Sequence, residues 1–131
     1  MSYLLDASVL IASGWETHIS HDVASLWLKK SGTFATCPVV QMAFMRVSMS
    51  QVYGVSFDEA ASVLAEILDE PGHRLVHDST QASDLPVVVG NKEITDAHLI
   101  TLAKYHGLKL ATLDKPLSTK AWARGVAEFI G

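Results

Sequence analysis

The chain has 131 residues, of which 49% are hydrophobic and 18% charged, with a net charge of −4 at neutral pH. That length and composition fit one domain with a real core and exclude a disordered chain; the acidic balance excludes a protein that coats nucleic acid through a basic surface, though not an enzyme that meets a few phosphates through metal ions. No apolar run reaches the about 18 residues of a membrane span, so the mean hydropathy of +0.24 points to an apolar face covered by a partner.

Residues 2–6 have the pattern of a short buried strand that feeds a helix over 8–13, ended by Gly14. Residues 21–30 form an amphipathic pattern: Val23, Leu26 and Trp27 recur at helical spacing, and Lys29-Lys30 close the last turn. Ser31-Gly32 stops it, and residues 33–36 are a second strand. Pro38 suits a first helical turn, and a helix follows through about Met49. Ser56 with Glu59 three residues on is a capping box before the apolar run 60–68, which Pro71-Gly72 ends. Residues 73–77 are a third strand, and 78–93 a loop with a short helical piece. Thr95 is the expected cap of a helix running to Tyr105 and stopped by Gly107. Residues 108–113 are a fourth strand, Pro116 opens a short helix, and 126–130 is a last edge strand. Strands alternating with helices imply βαβ units, a mostly parallel sheet covered on both faces and right-handed crossovers.

Within that frame, Asp6 and Asp114 each leave the carboxyl end of a strand, and Asp96 sits in the first turn of a helix. If the first and fourth strands are neighbours in mid-sheet, these carboxylates share the edge where open α/β sheets bind ligands. Two such charges about 4 Å apart at an effective dielectric of about 20 repel by roughly 4 kcal/mol. A cluster of that kind holds a proton or a metal ion. Each acid also has a simpler role open to it: Asp6 as an N-cap, Asp96 as an acid at a helix dipole, Asp114 as a turn residue. No Cys/His spacing suits zinc, and oxygen-only ligands suit magnesium or manganese. No glycine-rich phosphate loop is present. Cys37 is the single cysteine; it reads as buried packing, and with no basic-then-apolar leader the expected compartment is the cytoplasm. His98, two residues from Asp96, is expected to point off to another side as a surface or partner contact.

Four segments resemble those of PIN-domain ribonucleases, and within them the VapC-type toxins of prokaryotic toxin–antitoxin pairs. They are Leu4-Leu5-Asp6-Ala7-Ser8-Val9-Leu10-Ile11, Thr36-Cys37-Pro38 with Phe44-Met45-Arg46-Val47, Ile94-Thr95-Asp96-Ala97-His98-Leu99, and Ala111-Thr112-Leu113-Asp114, spread over almost the whole chain. The resemblance implies a single three-layer α/β/α domain over 1–131, with a short, mostly parallel central sheet. It also implies an acidic pocket that binds Mg²⁺ or Mn²⁺ and cleaves RNA. Asp6, Asp96 and Asp114 match the family's acidic positions, as catalytic residues and metal ligands. Thr112 matches the small hydroxyl residue that supports the last aspartate. Where the family often has a glutamate, the aligned residue is Gln41, and no acid occurs between Glu16 and Asp58; Gln41 could ligate through its carbonyl, and Glu93 could supply the missing charge. Ser8 could hydrogen-bond Asp6 or a metal-bound water, and Arg46 could meet phosphate or the site acids. Lys92, Lys104, Lys109, Lys115 and Lys120 could line an RNA path or be solvated surface charges.

The same resemblance implies a homodimer and a cognate antitoxin laid over a hydrophobic groove, sought around Phe44, Met45 and Met49 with Trp15 and Trp27. Two other readings stay open. One is a catalytically weak PIN domain acting as an RNA- or protein-binding module, suggested by Gln41. The other is a phosphoacceptor receiver domain, which Leu5-Asp6 fits poorly because it is not an acid pair, and which finds only Asp78 near its middle strand.

Overall fold

The computed structural model describes residues 2–131. Five short strands form one parallel sheet: β1 (Tyr3–Leu5), β2 (Phe34–Thr36), β3 (His73–Leu75), β4 (Lys109–Thr112) and β5 (Ala127–Phe129), in the order β3-β2-β1-β4-β5. Six α-helices join them: α1 (Ala7–Gly14), α2 (His21–Ser31), α3 (Pro38–Ser48), α4 (Phe57–Leu68), α5 (Ile94–Tyr105) and α6 (Lys115–Thr119). Right-handed crossovers from β1 to β2 to β3 place α1 to α4 on one face. The connection from β3 back across to β4 places α5 on the other. The chain therefore changes direction between β1 and β4, the switch point where such sheets open a crevice.

Register fixes what each face carries. Leu4 pairs with Ala35 and Leu110, and Leu5 with Ala111. Since side chains alternate along a strand, Leu4, Leu110 and Thr112 share one face, while Tyr3, Leu5, Phe34 and Thr36 share the other. Tyr3 meets Trp27 of α2 edge-on at 4.9 Å, which identifies its face as the α1–α4 side. Leu4, Leu5, Leu10, Leu99 and Leu110 are fully or almost fully buried, each stabilising the fold by about 1.5–3 kcal/mol. Gly107, at φ +66°, adopts the left-handed conformation that ends α5 at low cost.

The expected strands and main helices are present. The β3–α5 connection carries two short 3₁₀ turns, Ala82–Asp84 and Asn91–Glu93. The second runs straight into α5, so Glu93 occupies the cap position and Thr95 lies inside the helix, not at its cap. Phe44 is not part of a surface groove. It is fully buried and stacked on Trp15 with centroids 6.0 Å apart, while Trp15 Nε1–H donates to Ser48 Oγ at 2.8 Å. Cys37 is buried and free. Among the described residues no helix is long and apolar enough to cross a membrane.

Candidate active site

Asp6 leaves β1 in extended conformation, and its N–H continues the sheet ladder to Ala111 O at 2.9 Å. Its side chain does not cap α1; it turns toward β4 and is 8% exposed. Two relays converge on one oxygen. Thr112 Oγ1–H donates to Asp6 Oδ2 at 2.7 Å, and Thr112 Oγ1 accepts from Asp114 N–H at 3.0 Å. Ser8 Oγ–H donates to the same Oδ2 at 3.3 Å, and Ser8 Oγ accepts from Leu113 N–H at 3.1 Å. The backbone of the β4–α6 junction thereby orients a carboxylate more than 100 residues away in sequence. Thr112 supports the last aspartate through its amide and the first through its carboxylate.

Asp114 is exposed and caps α6, its Oδ1 accepting from Leu117 N–H at 3.2 Å. The simple cap role is thus real for Asp114 and leaves Oδ2 uncommitted. Asp96 stands in the first turn of α5, part-buried, with no side-chain hydrogen bond among the described residues. Burial holds the Asp6 carboxyl above its ordinary range, opposed by its hydrogen bonds from Thr112, Ala7 and Ser8, and the Asp114 charge adds to the rise. Asp96 is pushed up to about 6, first by burial and then by the charges of Asp6, Asp114 and Glu93. Asp114 thus acts on Asp6, and Asp6 and Asp114 both act on Asp96, across the carboxyl ends of the paired strands β1 and β4. Among the described residues no three acid, imidazole or thiol side chains stand close enough to enclose a metal ion as placed.

Gln41 is engaged elsewhere. Its Nε2–H donates to Thr36 Oγ1 at 3.0 Å, and Thr36 Oγ1 lies 2.7 Å from His73 Nε2. Burial lowers the pKa of His73, so its ring is neutral at pH 7 and can accept the Thr36 proton. The chain Gln41→Thr36→His73 lies on the sheet face opposite Asp6. It requires a donor at position 41, which glutamine supplies and glutamate lacks. Glu93 is also engaged: Oε1 accepts from Gly90 N–H at 3.0 Å and Oε2 lies 3.5 Å from Lys120 Nζ. Arg46 is exposed and forms no ion pair among the described residues. Lys109 lies 3.9 Å from Glu128.

His98 is neither a free surface residue nor aimed away into solvent. Its Nε2 is 2.7 Å from Asp78 Oδ2, with both side chains mostly buried. Burial alone would raise the Asp78 carboxyl; the Thr80 amide and His98 overcome it and hold the carboxyl low. The partners are 20 residues apart, and nothing in their spacing signals the pair.

Comparison with known proteins bears on the family and the fold. A model of the PIN domain matches residues 3–123. Ribonuclease VapC38 of Mycobacterium tuberculosis is 35% identical over 128 residues, covering 92% of this chain and 91% of its own. Ribonuclease VapC29 of the same organism is 39% identical over 121 residues, covering 90% of each. Among solved structures, VapBC2 from Rickettsia felis bound to a promoter DNA fragment superposes with TM-score 0.67 at 17% identity over all of both chains. VapC20 of M. tuberculosis, described as a sarcin–ricin loop cleaving toxin, gives 0.63 at 18% identity over 88% and 92%. Those two structures speak to the fold: a three-layer α/β/α arrangement around the five-stranded sheet.

Proposed function

The chain belongs to the PIN-domain family, and on that premise we propose that it is an endoribonuclease toxin, restrained by a cognate antitoxin, that cleaves RNA phosphodiester bonds with Mg²⁺ or Mn²⁺ held by Asp6, Asp96 and Asp114. The observation that carries this reading is the placement of Asp6 at the end of β1, Asp114 at the β4–α6 junction and Asp96 in the first turn of α5, near enough that the charge of Asp114 raises Asp6 and the charges of both raise Asp96. Ribonuclease is the printed activity of the relatives at 35% and 39% identity.

The donor set suits a hard divalent cation. All three groups are carboxylates, no imidazole or thiol belongs to the cluster, and a cation would relieve the repulsion that pushes Asp96 up to about 6. Bound there, Mg²⁺ or Mn²⁺ supplies Lewis-acid polarisation of the phosphodiester and activation of water. The protein's own part is positional. Thr112 and Ser8 fix Asp6 Oδ2. The α6 cap fixes Asp114 Oδ1. Asp96 is free to take up or release a proton near neutral pH, matching its carboxylate to the charge that arrives. An acidic pocket also repels RNA phosphates until a cation neutralises it. A homodimer fits the apolar surface of α3 and its C-cap, where Met42 and Met49 are 54% and 47% exposed; the site of action is the cytoplasm.

A second reading, a catalytically weak binding module, draws on Gln41, whose amide is committed to Thr36 and adds no charge to the cluster. Cleavage of a mixed RNA pool by antitoxin-free protein separates the two. The nuclease reading predicts cutting with Mg²⁺ or Mn²⁺, abolished by excess EDTA and by Asp6→Asn. Folded protein that cuts no RNA with either metal would select the binding module.

A further inference from the structure

An exposed apolar stretch lies just before the acids that open α5. Between the two 3₁₀ turns, Pro86-Val87-Val88-Val89-Gly90 runs without helix or strand. Val87 and Val89 are 96% and 102% exposed. Among the described residues no backbone–backbone hydrogen bond engages Val87 or Val88. A lone exposed valine needs no explanation. Two on one segment, Val87 with no backbone–backbone partner among the described residues, leave apolar surface that folding does not use.

The segment is nevertheless anchored at its base. Gly90 N–H donates to Glu93 Oε1, and Glu93 Oε2 faces Lys120 Nζ at 3.5 Å. Glu93 lies one turn before Asp96, and its charge is among those raising Asp96. Lys120, nearly half exposed, therefore stands at the edge of the acid cluster, and the valines begin one residue beyond the same anchor. Single-stranded RNA entering this pocket presents phosphates, which suit a lysine, and splayed-out bases, whose faces suit apolar side chains.

Resting on the ribonuclease reading, we propose that the Pro86–Gly90 segment and Lys120 form the element that selects the RNA cut by this enzyme. Val87 and Val89 pack against an unpaired base beside the scissile phosphate, and Lys120 takes a flanking phosphate. Continuity with the acid cluster favours RNA over a protein segment as the occupant. Aliphatic contacts select by the size and stacking of a base, not by its hydrogen-bonding edge, so the preference is graded.

The test compares the parent, the double variant Val87→Ser/Val89→Ser and Lys120→Ala on a pool of random single-stranded RNAs with Mn²⁺, reading cut sites by sequencing. Thermal melting and Mn²⁺ calorimetry accompany it. The double variant is expected to lower kcat/KM at the parent's preferred sites by about tenfold and to flatten the sequence preference, with Mn²⁺ affinity unchanged. Should the serine pair melt early, Val87→Ala/Val89→Ala gives the same readout. Lys120→Ala is expected to keep the sequence preference and to reduce the slope of log affinity against log salt by about 0.7, the share of one single-strand phosphate. An unchanged cut-site profile from an active parent overturns the proposal while leaving the nuclease intact. An unchanged profile with lost self-association or antitoxin binding overturns it in favour of a protein contact. A parent that cuts no RNA removes the nuclease reading itself, and this proposal with it.

Discussion

The floor and the wall of the acid cluster are built on different terms. On the floor, Asp6 is 8% exposed and receives two hydroxyl donors, each oriented by a backbone amide of the β4–α6 junction. On the wall, Asp96 is only part-buried and has no side-chain partner among the described residues. Both carboxyls are raised, but Asp6 is raised against hydrogen bonds that favour its charge, whereas Asp96 has only burial and three like charges acting on it. The difference teaches which acid is preorganised and which is left to respond. A carboxylate fixed before ligand arrives loses little freedom when used; one held near its titration point adjusts the site's charge with a single proton.

That contrast can be broken in order of effect. Asp6→Asn removes the oriented charge while the amide oxygen can still accept from Thr112. RNA cleavage is expected to fall by roughly a thousandfold, as when a preorganised electrostatic contact at a reacting centre is lost, with a normal fold by circular dichroism. Thr112→Val strips Asp6 of its short hydrogen bond and Asp114 N–H of its acceptor at a fully buried position. Loss of such a supporting contact is expected to lower metal affinity or activity by about 10–100-fold. Chemical denaturation should show a cost of about 1–3 kcal/mol, and Thr112→Ser should recover most of both.

Gln41→Glu tests the opposite face. A carboxylate cannot donate to Thr36, and Thr36 has one proton to share between position 41 and His73. A loss of about 1–3 kcal/mol in denaturant unfolding is expected, with Mn²⁺ affinity by calorimetry no better than the parent's. A marked gain in affinity would return position 41 to the metal site.

The smallest effect is a pH dependence of the metal-free protein. The folded-state pKa of Asp96 is raised from 3.8 to about 6, so the folded state binds its proton more tightly than the unfolded chain. The resulting stabilisation is fully present below about 3.8 and is lost as pH rises through about 6. Asp96→Asn should therefore raise the melting temperature of metal-free protein above pH 6 and have little effect near pH 4. Because the solvent-facing part of this group is screened, the shift should be modest.

Much of the fold was legible in the sequence because local rules govern it. The apolar run before Asp6, the Ser56 cap and Gly107 each act within a few residues, and each lies where its pattern places it; of the expected capping box only the Ser56 half forms, its Oγ accepting from Glu59 N–H. Alternating strands and helices allow β1 and β4 to be neighbours, and the observed strand order makes them so. What stayed hidden depends on contacts across the sheet or between distant segments. Thr95 has the chemistry of a cap, yet a 3₁₀ turn delivers the chain into α5 with its cap two residues earlier, at Glu93. Phe44 has the spacing of a surface stripe, yet stacking on Trp15 takes it into the core. The resemblance matches Gln41 to a position where the family often has a glutamate, while its donor role emerges only with His73 on β3. The Asp78–His98 pair has no signature at all at a separation of 20 residues.

The central claim is that Asp6, Asp96 and Asp114 act as one cation site. Carboxyl-carbon NMR titration of Asp96 with and without saturating Mg²⁺, in the parent and in Asp6→Asn, tests it most directly. The account predicts a midpoint near 6 in metal-free parent, displaced downward by more than one unit with Mg²⁺ as the cation favours the charged form. It also predicts a metal-free midpoint already lower in Asp6→Asn, where one repelling charge is gone, and a much smaller response to Mg²⁺. A midpoint unmoved by Mg²⁺ in the parent, or moved equally in Asp6→Asn, would contradict it.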